Sequence, residues 1–157
     1  MTTKVLAVVL ADPADDHRKG ISHMIEIGIR GKMETVVTED KTARAMGSGE
    51  LDVFATPAMI ALIEETAWRS VSPYLSEGEG TVGTRLDVDH ISATPQGMTV
   101  TCETELTEAD RRRLVFRVDV FDGCGKIGEG THERFIVDNE RFMSKALDKG
   151  RPASAPD

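Results

Sequence analysis

Three residues, Glu64, His90 and Thr56, have side chains that can act together on a carbonyl carbon. Glu64 is a carboxylate in an otherwise apolar segment, where it can serve as a base or a nucleophile. Histidine titrates near neutral pH, so His90 can carry a proton. Thr56 stands where a helix is expected to begin, and both its hydroxyl and the free N–H groups of a first helical turn can stabilise an oxyanion. Hydrolysis of an activated carbonyl compound requires a base or nucleophile, a proton carrier and donors to the oxyanion, and these three residues can supply them.

The segment that carries Glu64 is predicted to be one helix, from Thr56 to Val71. Thr56 is a favourable N-cap residue, and Pro57 suits the first helical position because its missing N–H is not needed there. Ser72 and Pro73 end the helix, which gives a length of roughly 22 Å. Residues 57–63 are nearly all apolar, and a helix without a polar face is expected inside a domain.

Glu64 lies on an apolar stripe of this helix, because residues three, four and seven positions away share its face. A carboxylate buried there is costly unless it is hydrogen-bonded. One interpretation is that Glu64 lies at a subunit edge or pairs with Arg69, and the other is that it is a buried catalytic carboxylate. The apolar residues of the stripe are Pro57, Ile60, Ala61, Ala67, Trp68 and Val71.

The remaining elements are predicted to be strands of an antiparallel sheet. Apolar and polar residues alternate over 23–38, which predicts a strand with a bulge near Gly31. A polar, flexible loop is expected to follow, up to Glu50. After the helix come four strand-like runs, at 81–93, 98–106, 114–121 and 126–137, followed by a short helix around 139–147. His90 is expected on the inward face of the first of these runs, where it can also be a purely structural histidine. The predicted class is therefore α+β, with one helix followed by a four-stranded meander.

Length and composition limit the class of protein. A chain of 157 residues with 39% hydrophobic residues is long enough for one domain with its own core. We expect an extension at 1–22, a domain at 23–148 and a disordered tail at 149–157. The net charge of −8 argues against nucleic acid as a partner. The apolar run Val5–Ala11 is too short to cross a membrane and is expected to be a strand.

The cysteine content indicates the compartment and the absence of a metal site. Cys102 and Cys124 have neither metal-ligand nor redox-motif spacing, and they form no disulfide framework. A reducing cytoplasm is the expected location, with no metal.

The segments FATPAMIALIEETAW, PYLSEGEGTVGT, DHISATPQGMTVT and IGEGTHERFIVDNERF together resemble the fluoroacetyl-CoA thioesterase-like branch of the hotdog thioesterases. The resemblance covers about residues 25–145. It implies a hotdog fold, in which a curved antiparallel sheet wraps one central helix. It also implies that the chain is an acyl-CoA thioesterase, which needs no cofactor because CoA is part of the substrate.

The resemblance assigns roles to four residues. Thr56, Glu64 and His90 correspond to the threonine, glutamate and histidine that carry the family's chemistry. Gly83, in the matching VGT, corresponds to the glycine whose backbone lies near the substrate carbonyl. The family's fluoroacetyl-specific enzyme has aromatic residues upstream of the threonine, but the corresponding residues here, 46–50, contain none. The fluoroacetyl specificity therefore does not carry over.

Two further features concern partners. The basic turn of Arg111, Arg112 and Arg113 is either a contact for CoA phosphates or a solvated turn. Thr56 and Glu64 are separated by about 12 Å along a continuous helix, which is too far for their side chains to meet. Either the helix begins near Met59 and Thr56 folds back, or the two act across a dimer. The resemblance implies a side-by-side homodimer and leaves open whether dimers pair into tetramers.

The sequence therefore predicts an acyl-CoA thioesterase that uses Glu64, His90 and Thr56 on a small acyl group, without nucleic acid or membrane as a partner. One alternative is a hotdog hydratase or dehydratase, although this helix lacks the histidine which that chemistry requires. Another is a non-catalytic protein that binds acyl-CoA or a small ligand. His132, in the motif GTHER, is interpreted mainly as structural.

Overall fold

The computed structural model describes residues 25–153. The whole predicted extension at 1–22, including Val5–Ala11, and the last four residues lie outside this range, so the predictions for them stay predictions. In chain order the elements are β1 (Arg30–Val36), α1 (Ala43–Met46), α2 (Thr56–Val71), β2 (Glu79–His90), β3 (Thr99–Asp110), β4 (Arg113–Asp122), β5 (Gly125–Asp138) and α3 (Asn139–Lys149).

Helix α2 has the predicted bounds, but its N-cap differs from the prediction. Ala55 is the N-cap and makes no side-chain capping bond, whereas Thr56 is already the first helical residue. The Thr56 hydroxyl is instead hydrogen-bonded to the ring of His90. The helix thus begins at Thr56 and not near Met59, which removes the possibility that Thr56 folds back toward Glu64.

One long face of α2 packs on the sheet, and the opposite face is open within residues 25–153. The helix contacts β1 and β3 most extensively and also reaches β2 and β5. The prediction of a helix enclosed on all sides is therefore wrong for one chain, because Pro57, Ala61 and Trp68 are exposed and Glu64 is half-exposed. The buried residues are Ala58, Met59, Leu62, Ile63, Thr66, Ala67, Ser70 and Val71.

The five strands form one antiparallel sheet in the order β1-β3-β4-β5-β2. The predicted four-stranded meander is correct for β3, β4 and β5 only, because β2 lies at the far edge beside β5. The connection from β2 does not form a hairpin with β3. It crosses to the other edge, where Gly97 donates to Val37 O just beyond β1, and β3 therefore pairs with β1. One helix against this sheet is the predicted α+β architecture.

Strand β1 is shorter than predicted and has no bulge. It begins at Arg30 and pairs with β3 in unbroken register, because a turn at residues 27–28 with Gly28 at a φ of 96° separates it from Ile25. Gly31 is needed for packing: a Cβ there would lie 2.8 Å from Thr66 O on α2. The absence of a side chain lets the helix backbone approach β1 closely.

The connection between β1 and α2 is more ordered than the predicted flexible loop. It contains α1, which begins where the Thr42 hydroxyl accepts a hydrogen bond from Ala45 N and ends at Gly47 in the left-handed conformation. Thr42 also pairs with Phe54 in an isolated bridge, and Phe54 and Ala55 are fully buried. This connection therefore sets the start of α2. No helix within residues 25–153 has both the length and the apolar character needed to cross a membrane.

Candidate active site

Thr56 and His90 form the first of two groups of predicted site residues. The Thr56 Oγ1 lies 2.8 Å from the His90 Nδ1, which joins the first residue of α2 to the last residue of β2. Phe54 packs edge-on against the imidazole at a centroid distance of 6.4 Å. We call these two residues the helix-start pair. The pair places a hydroxyl and an imidazole beside the N-terminal end of α2, where the helix dipole favours negative charge.

The other ring nitrogen of His90 is buried without a partner. Among residues 25–153, Nε2 is one of only two buried side-chain polar atoms that make no hydrogen bond. Burial lowers the pKa of His90, and a hydrogen bond with the Ser92 backbone opposes this effect. The imidazole is therefore mainly neutral at pH 7. A buried, unsatisfied nitrogen costs free energy, so Nε2 is available for a substrate, a water molecule or a group from another subunit.

Glu64 and Gly83 form the centre of the second group. A Cβ on Gly83 would lie 2.5 Å from Glu64 Oε2, so the carboxylate occupies the space that any other residue at position 83 would fill. The Glu64 side chain is 40% exposed and faces the open side of α2. The predicted pairing of Glu64 with Arg69 is wrong, because Arg69 is bonded to Glu65 at 2.9 Å.

Arg134 holds Glu64 from the sheet side. Its Nη1 donates to Glu64 Oε2 at 3.1 Å, while its Nε donates to Thr81 Oγ1 at 2.8 Å. Nη1 also lies 3.2 Å from His132 Nε2, and His132 is completely buried. We call Glu64, Thr81, Gly83, His132 and Arg134 the carboxylate cluster. Burial lowers the pKa of Arg134, and its hydrogen bond and attraction to Glu64 oppose that effect.

Arg134 was not predicted from the sequence as a site residue, and His132 was interpreted mainly as structural. Both lie on the inward face of β5, where alternate residues are buried. The alternation of the GTHERF segment was the sequence feature that could have placed His132 and Arg134 on one buried face. An arginine on a buried strand face requires a carboxylate partner, and Glu64 was the carboxylate predicted to be buried.

The two groups are separate in one chain. Thr56 and Glu64 are eight residues apart on one helix, about 12 Å along its axis. Gly83 and His90 are seven residues apart on β2, roughly 23 Å along the strand. The structure therefore brings Thr56 to His90 and Glu64 to Gly83, but it does not bring all four together within the chain.

The basic turn is largely neutralised by carboxylates of the same chain. Arg112 lies 3.5 Å from Glu79, and Arg113 is bonded to Glu108 at 3.1 Å and also to Glu133. Arg111 is the residue with a positive φ, 56°, between β3 and β4. The predicted role of Arg111, Arg112 and Arg113 in binding CoA phosphates remains a prediction, and these ion pairs would have to be exchanged for phosphate contacts.

A cleft adjoins the carboxylate cluster. It has a volume of about 390 Å³ and lies between the end of α2 and the beginning of β2. Trp68 and Leu75 supply apolar walls, while Thr81, Arg134 and Asn139 supply polar groups. Within residues 25–153, no group of three or more His, Cys, Asp or Glu side chains is arranged to hold a metal ion.

Comparison with known proteins gives concordant findings. Residues 37–140 match the model of a family described as fluoroacetyl-CoA-specific thioesterase. The chain is 41% identical over 131 residues to the fluoroacetyl-CoA thioesterase of Streptantibioticus cattleyicolor, with 80% of this chain and 94% of that protein covered.

Comparison with solved structures also finds thioesterases. A fluoroacetyl-CoA thioesterase superposes with a TM-score of 0.77 at 39% identity, covering 82% of this chain and 99% of that chain. A thioesterase superfamily member from Thermus thermophilus superposes with a TM-score of 0.73 at 27% identity, covering 81% and 96%. A hot-dog-like protein from Thermanaerovibrio acidaminovorans, 20% identical with a TM-score of 0.74 and covering 81% and 94%, shows the same fold.

Proposed function

The chain belongs to the fluoroacetyl-CoA-specific thioesterase family and has its hotdog fold, and on this premise we propose that it hydrolyses a small acyl-CoA thioester to the free acid and CoA. The observation that carries this proposal is the position of Glu64, a half-exposed carboxylate held by Arg134 against the backbone of Gly83. A carboxylate fixed beside an open face can act on a carbonyl carbon presented there. No metal or organic cofactor is needed for this reaction.

Glu64 can act in two ways that give the same products. As a base it takes a proton from water while the water oxygen adds to the thioester carbon. As a nucleophile its own oxygen adds to that carbon, the C–S bond breaks, and water then hydrolyses the mixed anhydride. In both routes the CoA thiolate leaves and is protonated, and the neutral imidazole of His90 is suited to carry that proton.

We propose that the complete site forms across a homodimer, with the helix-start pair of one subunit facing the carboxylate cluster of the other. Two features support this arrangement. The open stripe of α2 exposes Pro57, Ala61 and Trp68 around Glu64. Strand β2, with twelve residues, forms one edge of the sheet within residues 25–153, and long sheet edges invite pairing with another strand. A two-fold axis would give two identical sites.

The acyl group proposed for this chain is small but is not restricted to fluoroacetyl. The residues at 46–50 contain no aromatic side chain, and the Met46 side chain is exposed at the end of α1. A reducing compartment such as the cytoplasm is proposed as the location, because Cys102 and Cys124 form no disulfide framework in the sequence.

The test is the release of free CoA from a panel of acyl-CoA thioesters that differ in chain length and in polar substituents, followed with a thiol reagent. The Glu64→Gln variant, purified in the same way, controls for contaminating thioesterases. We expect steady turnover of at least one short acyl-CoA by the wild-type protein only. Saturable binding of acyl-CoA with no CoA release by either protein would favour the non-catalytic alternative.

A further inference from the structure

We propose that Arg134, fixed by Thr81 and His132, is a positioning residue that presents Glu64 to the substrate in one orientation. This inference rests on the proposed function and extends it to residues for which the resemblance implied no role. Arg134 and Glu64 are seventy residues apart in the chain, on β5 and α2.

The guanidinium group of Arg134 has almost no freedom to move. Besides the bonds to Thr81 Oγ1 and Glu64 Oε2, its Nη2 donates to the Thr81 carbonyl oxygen at 2.9 Å. With the contact to His132, four of its five N–H groups have a partner. A planar group held on three of its edges presents the Nη1–H bond to Glu64 in a fixed direction.

His132 must be neutral, in a single tautomer, for these contacts to exist. Its Nδ1 lies 2.8 Å from the Arg85 carbonyl oxygen, which can only accept, so Nδ1 carries the proton. Its Nε2 faces Arg134 Nη1, which can only donate, so Nε2 carries a lone pair. Burial, reinforced by the charge of Arg134, lowers the pKa of His132, while the bond to Arg85 opposes this effect. A neutral His132 therefore supports Arg134 without competing for Glu64.

The result is an asymmetric carboxylate. Oε2 is occupied by Arg134 and lies over Gly83, whereas Oε1 makes no hydrogen bond within residues 25–153. A carboxylate on an open helix face is otherwise free to rotate. Arg134, with a side chain only 6% exposed, has Glu64 as its one ion-pair partner in the described part of the chain. Removal of the Glu64 carboxylate would therefore leave a buried cation without its partner.

Other charges near Glu64 are directed elsewhere. Glu65 is on the same helix but is paired with Arg69. Glu133 is next to Arg134 in sequence but is paired with Arg113. Arg134 is therefore the charged residue of the carboxylate cluster that contacts Glu64, and His132 contacts Arg134.

The test compares kcat and KM for the wild type, Arg134→Gln and Arg134→Lys, on whichever short acyl-CoA the wild type hydrolyses. We expect Arg134→Gln to lower kcat by about 100-fold, the loss associated with a misplacement of about 1 Å, with a smaller change in KM. Arg134→Lys, which keeps the positive charge but lacks the planar set of N–H donors, should restore only part of kcat.

The matched control is Arg69→Gln, which removes an Arg–Glu pair of similar length from the same helix. It should leave kcat and KM as in the wild type. Because Arg134 is buried, Thr81→Val provides a milder variant that removes only the Nε acceptor, and it should lower kcat in the same direction by a smaller factor. An Arg134→Gln variant that folds and keeps the wild-type kcat would overturn the proposal.

A second measurement does not depend on turnover. A double-mutant cycle of Arg134→Gln and Glu64→Gln, read from urea unfolding, should show that the two changes are not additive. Additive changes would show that the two side chains do not interact, and would also overturn the proposal. A third outcome is that the wild type hydrolyses no acyl-CoA although the cycle shows coupling. The proposed function would then fail, and the Arg134–Glu64 ion pair would be purely structural. This outcome would therefore overturn the positioning role as well.

Discussion

At the scale of single residues, the chemistry depends on how each polar side chain is satisfied. Within residues 25–153, one oxygen of Glu64 is held by Arg134, and His90 has one nitrogen bonded to Thr56 and one buried without a partner. Buried unsatisfied groups are rare in native proteins because they cost free energy. The one at His90, a residue proposed for catalysis, indicates a position that a substrate or a second subunit completes.

The first prediction concerns Glu64. Glu64→Gln keeps the shape of the side chain and removes its basicity, so kcat should fall by at least ~100-fold, the lower range for loss of a general base. Steady-state kinetics on a short acyl-CoA measure this. Glu65→Gln, which changes the neighbouring carboxylate bonded to Arg69, should keep nearly full activity. Wild-type kcat/KM in Glu64→Gln would remove Glu64 from the mechanism.

The second prediction concerns the helix-start pair. Thr56→Ser should keep much of the activity because the hydroxyl remains, while Thr56→Ala and His90→Ala should each lower kcat. The double variant should be only slightly worse than the worse single variant, since both act through one hydrogen-bonded unit. Thr56→Ala should leave the melting temperature nearly unchanged, because Ala55 is the N-cap. Strictly additive losses would indicate independent roles.

At the scale of secondary-structure elements, each group of site residues forms where an end or a face of α2 meets the sheet. Gly83 lies next to a register shift between β2 and β5, and the missing side chain leaves the space that Glu64 occupies. His132 and Arg134 follow from the alternation of β5, which directs two polar side chains toward α2. The elements therefore determine which polar groups meet.

The third prediction tests the space at Gly83. A Cβ at this position would lie 2.5 Å from Glu64 Oε2 and 3.3 Å from Arg134 Nη1. Both atoms are at the far ends of side chains, so Gly83→Ala should fold, displace the carboxylate and lower kcat by about 100-fold. The control is Gly123→Ala, whose Cβ would meet only Met98 at 3.4 Å. Kinetics and thermal melting together measure the result, and an unchanged kcat in Gly83→Ala would contradict it.

The fourth prediction concerns stability and pH. The pKa values of His90 and His132 are lowered in the folded protein from the ordinary 6.5, chiefly by burial. Between the folded and unfolded values the unfolded chain binds more protons, so the free energy of unfolding rises with pH. This contribution is complete above pH 6.5 and is lost as pH falls below it.

Urea unfolding at pH 7.5, 6.5 and 5.5 measures this loss. The carboxylates with lowered pKa, Asp40 and Asp122, start from an ordinary value of 3.8 and so act at lower pH. His132→Gln should reduce the dependence on pH in this range. The same slope in wild type and variant would show that His132 is not held neutral.

At the scale of the whole molecule, residues 25–153 leave two surfaces uncovered. The open stripe of α2 and the sheet edge formed by β2 both border the proposed site residues. Trp68 is 39% exposed on that stripe, and large exposed apolar groups are typical of subunit interfaces. The proposed homodimer would place a second copy of the chain against these surfaces.

The fifth prediction is that the protein is a dimer and that activity depends on it. Ala61→Lys places a charge on the open stripe of α2, so it should shift the protein toward monomers and abolish CoA release. Ala109→Lys, in the exposed end of β3, should affect neither. Light scattering coupled to size-exclusion chromatography measures the assembly and distinguishes dimers from tetramers. A fully active monomer would contradict the proposal of a shared site.

The sequence by itself was sufficient to predict those features that depend on local periodicity. The bounds of α2 followed from a run of apolar residues between Thr56 and Pro73, and the strands β3, β4 and β5 followed from alternation. The family, and with it Thr56, Glu64, His90 and Gly83 as candidates, followed from motifs that are contiguous in the chain.

Only the tertiary structure decided which of these residues meet. The Thr56–His90 bond joins residues 34 positions apart, and the Arg134–Glu64 bond joins residues 70 positions apart. Such contacts depend on the order of strands, and alternation alone does not distinguish β2 beside β3 from β2 beside β5. The crossing of the connection after β2 to the far edge placed β5 next to Gly83, and that pairing brought Arg134 to Glu64.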